Sequence, residues 1–110
     1  MCGIIGFTFP PDGASTLLHE AVSALRHRGP DGTGELIRGD VALGHARLSI
    51  IDLEGGAQPM EAPDGRYAVT YNGELYNFRE LRDDLEKRGH QFRTHSDTEV
   101  ILTAYQEWGV

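Results

Sequence analysis

A single cysteine, Cys2, stands in a chain of 110 residues. One thiol cannot close an intramolecular disulfide or complete a thiolate zinc site. Basic side chains are also scarce, at 10 against 17 acidic ones, and the net charge of −7 would repel a phosphate backbone or an anionic bilayer. Neither nucleic acid nor a membrane surface is expected as a partner. Apolar residues make up 39% of the chain, but no stretch approaches the roughly 20 apolar residues that a membrane helix requires. The apolar start from Met1 to Phe9 lacks a basic n-region and a small-residue cleavage site, so no signal peptide is expected. With a lone cysteine, a reducing, cytoplasmic setting fits. Linkers, internal repeats and low-complexity tracts are missing too, and the length suits one domain or a piece of one.

The apolar patterning that is present predicts an α+β unit. Ile5, Phe7 and Phe9 share one face of a strand that Pro10-Pro11-Asp12-Gly13 ends. Leu17, Leu18, Ala21, Val22 and Leu25 recur at helical spacing between Ser15 and about Arg26. Strands at Glu35–Arg38 and Val41–Ile51 flank Gly39-Asp40, a two-residue hairpin turn. The segment from Asp52 to Gly65 is rich in glycine and proline and reads as a long loop, and Arg66–Tyr71 reads as a strand. Asn77 with Glu80 has capping-box spacing, with Tyr76 and Leu81 placed as a hydrophobic staple, Asp83–Lys87 and Asp84–Arg88 as ion pairs and Gly89 as the stop. Phe92–Thr94 reads as a short strand. Ser96 with Glu99 forms a second capping box, before a helix carrying Val100, Ile101, Ala104, Tyr105 and Trp108 as its apolar stripe.

Cys2 behind an initiator methionine draws attention because removal of Met1 would leave a thiol and a free α-amine on one residue. An α-amine has a pKa near 7.7–8, against about 10.4 for lysine, and so can act as a general base for its own thiol. A buried structural cysteine is the blander alternative. Five further observations bear on the choice. Met-Cys-Gly-Ile-Ile-Gly-Phe opens the chain, and then come, in order, Arg26-His-Arg-Gly-Pro-Asp-Gly32, Gly44-His-Ala-Arg-Leu-Ser-Ile-Ile-Asp52, Tyr71-Asn-Gly-Glu-Leu-Tyr-Asn77 and Ser96-Asp-Thr-Glu99.

Together these segments resemble the glutaminase domain of class II glutamine amidotransferases, and Arg28–Asp31 and Arg47–Ile50 resemble its asparagine synthetase branch. The resemblance implies an N-terminal-nucleophile hydrolase, a four-layer αββα sandwich with antiparallel sheets, of which residues 1–110 would be an N-terminal and incomplete portion. It implies hydrolysis of glutamine to glutamate and ammonia through a Cys2 thioester. Asn72 and Gly73 would supply the oxyanion donors, through a side-chain amide and a backbone N–H. Arg47 would grip the substrate α-carboxylate, Leu48, Ser49, Ile50 and Ile51 would line the glutamine site, and Glu74 and Asp97 would hold the α-ammonium. Arg28 and Asp31 would shape the loop beside it. No cofactor is implied for this portion; ATP and magnesium would serve a synthetase domain absent from this chain that makes asparagine from aspartate. That domain and glutamine are the implied partners, and a homodimer is compatible.

Plainer readings stand beside each of these. Asn72-Gly73 is also a hairpin turn, although a helix cap four residues on leaves little room for a returning strand. Arg47 on a strand is ordinarily solvated, and Asp97 suits the first turn of any helix. His19, His27, His45, His90 and His95 lack metal-site spacing, and most of them read as surface residues. A non-catalytic glutamine-binding module, or the glutaminase of another class II amidotransferase, remains the alternative.

Overall fold

The computed structural model describes residues 2–8, 12–48 and 56–109. Its first strand, β1 (Gly3–Thr8), leads into helix α1 (Ala14–Ala24), and β2 (Gly32–Arg38) and β3 (Val41–Arg47) form the hairpin expected across Gly39–Asp40. β1 pairs with the free edge of β3, giving an antiparallel sheet of order β1-β3-β2. Side chains alternate across a strand. Ile5, Phe7 and Ala42 accordingly meet Leu18 and Val22 of α1, while Val41, Leu43, His45 and Arg47 belong to the opposite face. Leu18 and Val22 are fully buried here, each burial worth about 1.5–3 kcal/mol.

A second, two-stranded antiparallel sheet follows, β4 (Met60–Glu61) with β5 (Ala68–Val69). Met60, Ala62, Tyr67 and Val69 pack around Leu102 of α3 (Asp97–Trp108), and α2 (Phe78–Lys87) lies beside α3. The other side of this small sheet meets the three-stranded one, through His45 to Thr70, Arg38 to the Gly65 carbonyl, and Arg38 to Glu61 at 3.5 Å. The layers thus run α1, three-stranded sheet, two-stranded sheet, α3 with α2. No helix among the described residues is long and apolar enough to cross a membrane.

The element types hold, with instructive departures. β4 falls inside the expected loop, and the strand expected over 66–71 shortens to β5. Asn77 does precede α2, but its side chain caps nothing, and Tyr76 is 89% exposed, so neither the capping bond nor the staple forms. Asp84–Arg88 pairs at 3.3 Å, whereas Arg82 takes Glu86 and no Asp83–Lys87 pair occurs among the described residues. The strand expected at Phe92–Thr94 is instead irregular chain. There the Glu99 carboxylate accepts from the N–H groups of Arg93 and Thr94, the donors a strand would have paired elsewhere. Ser96 caps α3 by accepting from the Thr98 N–H, but Glu99 does not reach back to Ser96 and so completes only half a capping box. The inward face of α3 is Thr98, Glu99, Val100, Leu102 and Thr103, rotated from the expected stripe, leaving Tyr105 and Trp108 largely exposed.

Candidate active site

The carboxyl end of β3 is pinned by the preceding loop. Asp31 N–H donates to the Arg47 carbonyl at 2.9 Å, and Pro30 bridges Arg47 in parallel. Gly29 lies so close to β3 that a Cβ there would stand 2.2 Å from the Ala46 carbonyl. This gives the Arg28–Asp31 segment a backbone role: it fixes the strand end that carries Arg47.

Cys2 sits just ahead of β1 on the edge beside that strand end. Its Sγ accepts from the Leu48 N–H at 3.3 Å and lies 3.7 Å from the Leu48 carbonyl. An N–H aimed at sulfur stabilises a thiolate there.

A third piece is the segment from Tyr71 to Asn77, between β5 and α2. It makes no return strand, so Asn72-Gly73 is not a hairpin turn. It is tethered twice. Gln58 accepts from the Tyr71 N–H and donates from Nε2 to Thr98 Oγ1 at 3.1 Å, and Asp97 Oδ2 accepts from the Leu75 N–H at 3.0 Å. Asp97 therefore does more than favour a helix start. Gln58 is itself seated by Gly34, where an added Cβ would fall 1.7 Å from the Gln58 carbonyl oxygen.

These pieces enclose a cavity of about 380 Å³ whose wall includes Cys2, Arg47, Leu48, Asn72, Gly73, Glu74 and Asp97. Every described residue expected from the sequence to bind glutamine or perform catalysis is in that wall. Ser49, Ile50 and Ile51 lie outside the described residues. The charges are sorted by position. The ring of His45, on the β3 wall, is held below the ordinary imidazole range by burial and then by the Arg47 guanidinium. The Tyr71 phenol is raised by burial, then by Asp97 and Glu74. Positive charge thus acts at one wall and negative charge at another, as an α-amino acid zwitterion requires.

His45, Gln58, Tyr71, Tyr76, Ser96 and Thr98 also line the cavity, and sequence reasoning gave none of them a role in the site. His45 is not one of the surface histidines. It is 1% exposed, because its strand position faces the second sheet, where Nδ1 meets Thr70 Oγ1 at 2.8 Å. Its alternation with Arg47 along β3 was the signal that could have placed it.

A cavity uniting a strand-end cysteine, an amide-bearing loop and separated charges is what a glutamine-cleaving enzyme needs, and a family model described as a glutamine amidotransferase domain matches residues 1–110. The chain belongs to that family. A probable asparagine synthetase (glutamine-hydrolyzing) of Dictyostelium discoideum is 47% identical over 113 residues, covering 99% of this chain and 20% of that protein. Asparagine synthetase (glutamine-hydrolyzing) 1 of Bacillus subtilis is 42% identical, with 98% and 18% covered. Its Arabidopsis thaliana namesake is 44% identical, with 100% and 19% covered. The chain spans about a fifth of the length of these relatives.

Proposed function

We propose that this chain is the glutaminase portion of an asparagine-forming amidotransferase, with Cys2 as nucleophile. The observation that carries the reading is the meeting of Cys2, Arg47, Asn72, Gly73, Glu74 and Asp97 around one cavity, from four separate stretches of chain. Once Met1 is removed, the Cys2 α-amine takes the thiol proton, and Sγ attacks the side-chain amide carbon of glutamine. The Asn72 amide and the Gly73 N–H receive the oxyanion; a donor of this kind is worth about 2.7–4 kcal/mol in the transition state. Collapse breaks the C–N bond, and the nitrogen leaves as ammonia with the proton held by the α-ammonium. Water then adds to the thioester, giving its proton to the α-amine. The second collapse expels the sulfur, which is reprotonated, and releases glutamate. Arg47 pairs with the substrate α-carboxylate, and Glu74 and Asp97 receive its α-ammonium.

The layer order α1, sheet, sheet, α3 supports assignment to the αββα sandwich of N-terminal-nucleophile hydrolases. The names of the relatives support asparagine formation as the fate of the ammonia. The resemblance also implies ATP and magnesium for asparagine formation. They belong in this reading to a synthetase domain. The test is glutamate and ammonia release from glutamine by material shown by intact mass to begin at Cys2. Cys2→Ala should abolish turnover and leave glutamine binding measurable. Full activity in protein that retains Met1 would overturn the α-amine mechanism.

A further inference from the structure

The two-stranded sheet stops short at the cavity, where Gln58 and Tyr71 both line the wall. Met60 pairs with Val69, and continuing that register would set Gln58 opposite Tyr71, but Pro59 has no N–H with which to extend the ladder. The Gln58 carbonyl lies instead against Gly34 of β2, where an added Cβ would fall 2.8 Å from its carbon. The side chain takes over. Gln58 Oε1 accepts from the Tyr71 N–H, and Nε2 donates to Thr98 Oγ1 at 3.1 Å. A backbone N–H can only donate, so the orientation of the Gln58 amide is fixed and the Thr98 hydroxyl must accept.

The loop from Tyr71 to Leu75 is thereby tied to the first turn of α3 at both ends, Tyr71 through Gln58 to Thr98 and Leu75 directly to Asp97 at 3.0 Å. Between the ties stand Asn72, Gly73 and Glu74. In the glutaminase reading, the loop receives the amide end of glutamine at Asn72 and Gly73, and α3 receives its ammonium at Asp97. The separation of these two points has to match the length of one ligand. We propose that Gln58 is a positioning residue for glutamine hydrolysis: its side-chain amide holds the oxyanion donors at the distance from Asp97 that brings the amide carbon of glutamine within reach of Cys2 Sγ. This rests on the glutaminase reading. Gln58 exchanges no proton. Arg47 and Asp97 are carried by β3 and α3 themselves, so loosening the loop costs the chemical step more than it costs binding.

The experiment measures glutamine hydrolysis by the full-length protein. Gln58→Met, which keeps the length of the side chain and removes both hydrogen bonds, should lower kcat about 10- to 100-fold while KM changes less than about threefold. Thr98→Val removes only the far anchor and should lower kcat in the same direction, whereas Thr98→Ser, which keeps the hydroxyl, should hold kcat close to that of the wild type. In Gln58→Met protein, Thr98→Val should cost nothing further, because the bridge is already cut. Thr98→Val beside Thr98→Ser carries the test should Gln58→Met fail to fold. An unchanged kcat, kcat losses that multiply independently, or an equal loss in Thr98→Ser would overturn the proposal while leaving the glutaminase reading intact. Wild-type protein that does not hydrolyse glutamine would overturn both.

Discussion

A guanidinium at position 47 offers paired, coplanar donors that an ammonium cannot copy. Arg47→Lys should therefore raise KM for glutamine about 10- to 100-fold, with kcat affected less and the thermal midpoint nearly unchanged; steady-state kinetics beside a melting curve checks this. An unchanged KM would remove Arg47 from the site. His45 gives a prediction in pH instead. Its folded-state pKa is depressed by burial and by Arg47, so between that value and the unfolded value near 6.5 the unfolded chain binds more protons. The stability from keeping the ring neutral is thus present above pH 6.5 and is lost as pH falls through the folded pKa. The loss has a limiting slope of about 1.4 kcal/mol per pH unit. The groups around the ring are Thr70 on Nδ1 and the Arg47 charge on its own strand, with Glu74 and Asp97 in the same cavity wall. Denaturant midpoints of wild type and His45→Asn should converge as pH drops below 6.5. Cys2, Arg47, Asn72 and Asp97 were legible in the sequence because each belongs to a distinctive motif. His45 and Gln58 were not, since a lone histidine or glutamine has no local signature and becomes informative only when another strand supplies its partner.

Among the elements, the start of α3 is held by an acid that the sequence made visible for a different reason. Glu99 is 3% exposed and accepts from Arg93 N–H, Thr94 N–H and the Thr94 hydroxyl, with Arg93 Nε at 3.8 Å. Glu99→Gln puts an NH₂ group against these donors and should cost about 1–3 kcal/mol, lowering the thermal midpoint by several degrees. Because Asp97 sits on the same turn, KM for glutamine should rise as well. Local spacing gave the N-cap residue correctly at Ser96, yet the partners of Glu99 lie upstream in chain that looked like a strand. Tertiary demand for those N–H groups decided between the two. The same competition shortened the strand expected over 66–71: the Tyr71 N–H goes to Gln58 rather than to a sheet neighbour.

At the scale of the molecule, the described chain measures 43 × 29 × 21 Å, and Ile4, Leu17, Ile37, Val41 and Trp108 are all more than 40% exposed. β1 and β2 are the edges of the larger sheet. Apolar side chains on open strands invite association. Residues 1–110 produced alone should therefore self-associate and hydrolyse glutamine more slowly than a longer chain of the length its relatives have, since a misplacement near 1 Å costs about a hundredfold in rate. Solution mass and glutaminase rates for both lengths test this, and a monomeric short chain with the long chain's rate would refute it.

The hydrogen bond from the Leu75 amide to Asp97 has a further consequence. One carboxylate oxygen restrains the loop that bears Asn72, and in the proposed reading the same carboxylate meets the ligand's ammonium. Loop opening and ligand release then draw on a single group. The free energy that closes the loop over glutamine is shared with the energy that recognises it, so the loop should breathe less when the site is filled. The Leu75 amide becomes a natural reporter: its deuterium exchange should slow on glutamine binding to Cys2→Ala protein, and should quicken in Asp97→Asn whether or not glutamine is present.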